Sequence, residues 1–310
     1  MSKETQEFYT WSLQALRKIW TTPEMIPKVF ITDRDMALVN SIEAEFVKTS
    51  TSPTFVEEVS LVDNALAVFQ SSAHLLCTWH INKNILARCK KTFRKEEEWE
   101  SFIQAWNCFV NSVDDEKYNE NWSKLSLLMR DNLELSEYIQ NVWLKHQRKF
   151  VALWTDKHAH FGNRTTSRVE GAHSVLKRHL ESSSNEIFNF HSKIKEFIEG
   201  QTKTVETQIF IEKTKAPSRF PKVFEKCFRK VSFHALKIAL QKFNDISKDA
   251  TRKCTKHFFT YMGIPCSHMI HDIICLRPLE STDFHPQWQL TYSNKDFPQD
   301  SDFFFQEAKS

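Results

Sequence analysis

Glycine is scarce in this chain: four residues in 310, standing alone at Gly162, Gly171, Gly200 and Gly263. Dinucleotide fingerprints and phosphate loops need several glycines within a few residues, so that backbone can approach phosphate closely. That argues against Rossmann dehydrogenases, P-loop ATPases and nucleotide-dependent kinases. No apolar run approaches the roughly 20 residues of a membrane helix, so no membrane association is expected. The stretch Met1 to Phe8 is polar and charged, which predicts no secretory signal. Seven cysteines, an odd count, predict reduced thiols inside a cell rather than a disulfide framework.

What is present is core-forming material. Hydrophobic residues make up 41% and charged residues 26%, a globular balance that can bury one large domain or two ordinary ones. With little glycine and long stretches rich in Leu, Phe, Trp, Lys and Glu, the chain reads as mostly helical. The net charge of +3 is unevenly spread: Lys203 to Lys256 holds fourteen Lys and Arg against five Asp and Glu. Such a block suits nucleic-acid phosphates, and equally a solvated basic helix face.

Along the chain, Glu4 to Trp20 has a helical apolar period. Pro27 then introduces Val29-Phe30-Ile31-Thr32, a β-branched and aromatic run that predicts a buried strand. A helix follows from Met36 to Phe46, a polar break at Thr49 to Pro53, and a second helical pattern at Leu61 to Phe69. The short apolar stretch Leu75-Leu76 leads into Cys77-Thr78-Trp79-His80, which opens a basic helix reaching about Lys91. From Glu96 to His160 the pattern is helical and studded with Trp99, Trp106, Trp122, Trp143 and Trp154, as in the core of a bundle. Helices are then expected near Glu186–Lys213 and Val223–Phe243, ahead of a loop-rich tail.

Three constellations can carry chemistry. Asp33 falls at the C-terminal end of the first strand, where α/β folds place metal-binding and catalytic groups. Asp33 or Asp35 can equally cap the helix that starts near Met36. Glu170 follows Phe161-Gly162-Asn163-Arg164-Thr165-Thr166-Ser167; it reads either as a metal-ligating carboxylate or as the partner of Ser167 in a capping box. Glu170, His173 and Lys177 share a helix face that can meet a phosphodiester. The third is Cys254, eleven residues, then Cys266-Ser267-His268: two thiols and an imidazole of zinc-ligand type. A fourth ligand is expected from His257 or His271, with Cys275 weaker. Cys77 and His80 read as a strand-to-helix packing feature close to Asp33.

Taken in order, "PKVFITDRDMAL", "HLLCTWHINKNI", "HFGNRTTSRVEGAHSVLKRHL", "YMGIPCSHMIHDI" and "DFHPQWQL" resemble the Mutator-like element transposases, particularly the fungal ones. The resemblance covers most of the chain. It implies an α/β fold with predominant helix: a partial RNase H-like core (1–92), here carrying a segment at about 43–60 that the family lacks, interrupted by a helical insertion (93–160). The helix of the last catalytic acid and a basic helical region would follow (161–250), then a small SWIM-type zinc finger (251–280) and a tail (281–310). It implies Asp33 and Glu170 as catalytic acids binding Mg²⁺ or Mn²⁺, and Cys254, Cys266, His268 and His271 as zinc ligands. DNA, such as transposon ends, would be the partner, contacted by Lys177, Arg178, Lys226, Arg229 and Lys230. A nuclear location and a homo-oligomer would accompany it.

Three departures shape the expected activity, and one is the inserted segment itself: the family passes almost directly from the "TDR" helix to the "HLLC" strand, whereas residues intervene here between Met36 and Leu76 and could displace Asp33. The family's first catalytic Asp lies upstream of the helix beginning at Glu4, and no aspartate precedes Asp33 here. A SWIM pattern opens Cys-x-Cys, but position 252 is Arg252. The expectation is therefore a transposase-derived protein that is catalytically incomplete and retains DNA binding. The alternatives are a domesticated DNA-binding regulator or a transposon relic without function.

Overall fold

The computed structural model describes residues 5–20, 26–47, 72–180, 187–249 and 253–290. The break at Thr49 to Pro53, the helical pattern at Leu61 to Phe69 and most of the inserted segment 43–60 lie outside these residues. The chain divides into two units, Met1–Glu181 with Thr260–Met262, and Ser182–Phe259 with Gly263–Ser310. It is mostly helical, with a sheet of two strands among the described residues. No helix among them is long and apolar enough to cross a membrane.

The first unit opens with α1 (Gln6–Ile19), β1 (Val29–Thr32) and α2 (Met36–Val47), followed by β2 (Ala73–Leu76) and α3 (Thr78–Cys89). β1 and β2 pair in parallel with Val29 opposite Ala73 and Thr32 opposite Leu76, so both strands end at the same edge. Asp35, not Asp33, caps α2: its Oδ1 accepts the Leu38 N–H at 2.8 Å. Asp33 is left exposed at the strand end.

Beyond α3 lie α4 (Glu96–Val110), α5 (Asp115–Met129), α6 (Leu133–Tyr138), an irregular helical stretch to Lys149 and the short α7 (Ala152–Thr155). Glu96, Glu97 and Glu98 sit in the first turn of α4, where the helix dipole favours negative charge. Asp114 caps α5 by accepting the Lys117 N–H, and Asn132 caps α6 by accepting that of Leu135. α4 buries Trp99, Phe102, Trp106 and Phe109 at helical spacing, and α3 faces them with Ile81, Ile85 and Cys89. Trp143 is buried in the same core, with Trp122 and Trp154 packed against it, as the sequence pattern predicts. The Trp106 indole N–H is satisfied by Asn82 Oδ1 at 3.0 Å, which ties α4 to α3. The unit's last long helix, α8 (Ser167–Leu180), buries none of its residues.

The second unit holds α9 (Ile187–Thr214), α10 (Phe233–Asn244), α11 (Ile246–Asp249), the start of α12 (His257–Met262) and α13 (Ser267–Ile274). The single helix expected over Val223–Phe243 is two elements, a 3₁₀ turn at Lys222–Cys227 and then α10. Arg229 adopts a left-handed backbone (φ 64°), Val231 bridges to Gln289, and the Ser232 hydroxyl caps α10 at Ala235 N. Phe224, Cys227, Leu236, Ile264, Ile270, Leu279 and Phe284 form this unit's buried core.

Candidate nucleic-acid edge and metal-binding cluster

The C-terminal edge of the two-stranded sheet collects the first group of predicted residues. The Cys77 N–H donates to Thr32 O at 2.7 Å, so the residue after β2 is fastened beside Asp33. The Thr78 N–H and hydroxyl both donate to Arg164 O, at 2.9 and 3.0 Å. The Thr166 N–H donates to Cys77 Sγ at 3.2 Å. These bonds carry the loop before α8 onto the edge where Asp33 ends β1, and Glu170 sits in the first turn of α8.

Glu170 does not form the expected box with Ser167. Its Oε1 accepts the Thr166 hydroxyl at 2.6 Å and lies 3.6 Å from His80 Nε2, while the Ser167 hydroxyl pairs with that of Thr165. The Thr166 hydroxyl is also 3.4 Å from His80 Nδ1. His80 and Thr166 thus brace Glu170, a role the sequence pattern did not reveal; the Cys77–His80 spacing was its only signal.

Deeper groups hold the loop. Asp156 and His160 are both buried, with His160 Nε2 at 3.0 Å from Asp156 Oδ1, which also accepts the Thr155 hydroxyl. The imidazole stacks on Tyr261 at 5.1 Å, and Phe161 N–H donates to Tyr261 O. Burial raises the Tyr261 hydroxyl's pKa, helped by the nearby Asp156 carboxylate. Arg164 reaches inward: Nη1 donates to Asn111 Oδ1 and Nη2 to Phe150 O, both at 2.8 Å. Burial lowers its pKa and Asp156 partly opposes the shift, but a guanidinium stays charged. The loop turns at Phe161 (φ 52°) and Gly162 (φ 77°), and a Cβ at Gly162 would also press on Met262 Sδ at 3.4 Å.

Cys254, Cys266 and His268 come together in the second unit, with ligand atoms all within 4.8 Å of one another. This cluster can hold a metal ion. It is the one such group of three among the described residues, and it includes neither Asp33 nor Glu170. The two sulfurs are 3.7 Å apart. Two thiolates about 2.3 Å from one tetrahedral zinc lie about 3.8 Å apart, so the spacing fits. His268 Nε2 lies 2.9 Å from Asp249 O, which can only accept; Nε2 therefore carries the proton and Nδ1 keeps its lone pair. Ser267 donates to the Asp249 carboxylate at 2.7 Å, fixing the same turn. Burial raises the Cys266 thiol pKa and the neighbouring Cys254 adds to the rise, while the backbone N–H groups of Met269 and His268, at the start of α13, offset only part of it. His271 is not in the cluster: it is exposed, with Nδ1 3.4 Å from Asp272. Cys275 is exposed too.

Of the predicted phosphate contacts, Lys177 and Arg178 are exposed in the last turn of α8. Lys226 is exposed but ion-paired to Glu280 at 2.7 Å, which lowers the Glu280 pKa. Arg229 and Lys230 occupy the turn before α10, and their side chains reach solvent. No family model, curated protein or solved structure matches this chain.

Proposed function

We propose that this chain is a transposase-derived DNA-binding protein of the Mutator-like type, with an incomplete strand-cleaving centre and a zinc-held C-terminal module. The observation that carries the reading is the shared sheet edge: one hydrogen-bonded path runs from Thr32 through Cys77 and Thr166 to Glu170, with Asp33 at its start. In this reading the edge is the remnant of an RNase H-like core. Two-metal strand cleavage needs several carboxylates, because one ion activates the nucleophile while the other stabilises the leaving oxygen. Asp33 and Glu170 supply oxygen ligands for one Mg²⁺ or Mn²⁺ at most. Cys254, Cys266 and His268 would hold zinc, which supplies cross-linking rather than reaction chemistry. Lys177, Arg178, Arg229 and Lys230 offer the charge that phosphates need, with Lys226 available once released from Glu280. The protein would act on DNA in the nucleus.

The test is binding of labelled duplex DNA by the zinc-loaded chain, compared with K177A/R178A and R229A/K230A variants. Each variant is expected to bind more weakly and to lower the salt dependence by about one unit for each phosphate no longer neutralised. Variants that bind like the parent protein would overturn the assignment. No nicking is expected with Mg²⁺ or Mn²⁺. Nicking abolished by both D33A and E170A would instead make the chain an active nuclease.

A further inference from the structure

We infer that Trp79 is a stacking platform for an unpaired base of DNA held at the Glu170 edge; the inference rests on the DNA-binding reading above. The tryptophans of the first unit's core are sequestered, with Trp99 6%, Trp106 0% and Trp143 1% exposed. Trp79, in the first turn of α3, is 44% exposed. Its ring is not loose. The Lys83 ammonium sits 5.0 Å from the ring centroid, and the His80 imidazole meets it edge-on at 4.7 Å. His80 in turn lies 3.6 Å from Glu170, so the indole stands one side chain away from the candidate acid.

The surroundings suit a nucleotide. Trp79, Lys83 and Leu86 recur at helical spacing along the exposed face of α3, placing an aromatic surface, a cation and an apolar shoulder in one line. Every base has a π-face, and an aromatic ring can accept it without reading sequence. The Lys83 charge steadies the indole and offers itself to the flanking phosphate. A base inside duplex DNA is already stacked on both faces and cannot reach the ring. The preferred ligand is therefore DNA with a base that is flipped out, bulged or single-stranded.

The experiment compares two DNAs, a fully paired duplex and the same duplex with one bulged 2-aminopurine, against the parent chain, W79A and W79F. The parent chain is expected to bind the bulged DNA more tightly and to quench the 2-aminopurine. W79A should weaken binding to the bulged DNA about tenfold and lose the quench, leaving paired-duplex affinity unchanged, while W79F keeps most of both. Equal affinity of W79A and the parent chain for the bulged DNA would overturn the inference alone, as would an equal loss on both DNAs. Failure of the parent chain to bind either DNA would overturn the DNA-binding reading and this inference with it.

Discussion

Replacing Arg164 with alanine should cost the first unit about 2–4 kcal/mol. Its guanidinium makes two hydrogen bonds at 2.8 Å, to Asn111 Oδ1 and Phe150 O, with Val110 O at 3.4 Å adding little. The part-buried bond to Phe150 O contributes about 1.5–3 kcal/mol and the solvent-exposed one to Asn111 about 1 or less, and the truncation also leaves the Phe150 carbonyl without this donor. R164K keeps the charge but presents one ammonium instead of a planar fork, so it should recover about half the loss. Urea unfolding followed by tryptophan fluorescence reads this unit selectively, because eight of the nine tryptophans lie in it and only Trp288 lies in the other. The same variant should loosen Glu170, since the Arg164 carbonyl is the acceptor that seats the loop on Thr78. An R164A midpoint within about 1 kcal/mol of the parent chain would refute the claim that this arginine anchors the loop.

Three further outcomes are expected. Trp106→Ala should destabilise the same unit by about 3–5 kcal/mol in the urea assay, since the ring is fully buried and its N–H donates to Asn82; a cost near zero would mean α4 does not form the core. Burial lifts the Cys89 and Cys227 thiols from 9.0 to about 12, so both stay protonated when folded while the unfolded chain ionises near 9. Unfolding then releases protons, and stability falls as pH rises from about 9 towards 12, a slope that should flatten in the C89A/C227A variant. C254S, C266S or H268A should each drop bound zinc well below about one per chain, read by metal analysis after dialysis; full retention by H268A would remove the imidazole from the site.

Local signals made much of the first unit legible. A β-branched run after Pro27 marked Val29–Thr32 to the residue, although the strand is half-buried rather than buried because only β2 pairs with it among the described residues, and the helical pattern from Glu96 contains α4. The choice between Asp33 and Asp35 as the α2 cap was not legible, since either type of residue at either position can cap; the backbone geometry gives the role to Asp35. The break inside Val223–Phe243 was hidden for a different reason. Its composition is helical throughout, and what stops the helix is a bridge to Gln289, far along the chain. The Asp156–His160 pair went unnoticed in the sequence, because its burial and the stack on Tyr261 depend on long-range packing. Of the four expected zinc ligands, three are neighbours because the Cys-x-His spacing is local and Cys254 is brought in by the fold; His271 is one turn too far along α13.

The most direct test of the central claim is the affinity of the zinc-loaded chain for duplex DNA across a salt series from about 50 to 200 mM. If the basic side chains meet phosphates, log Kobs falls linearly with log salt, with a slope of about −0.9 per phosphate neutralised. Affinity that is absent at the lowest salt, or that does not change across the series, would contradict a DNA-binding function for this protein.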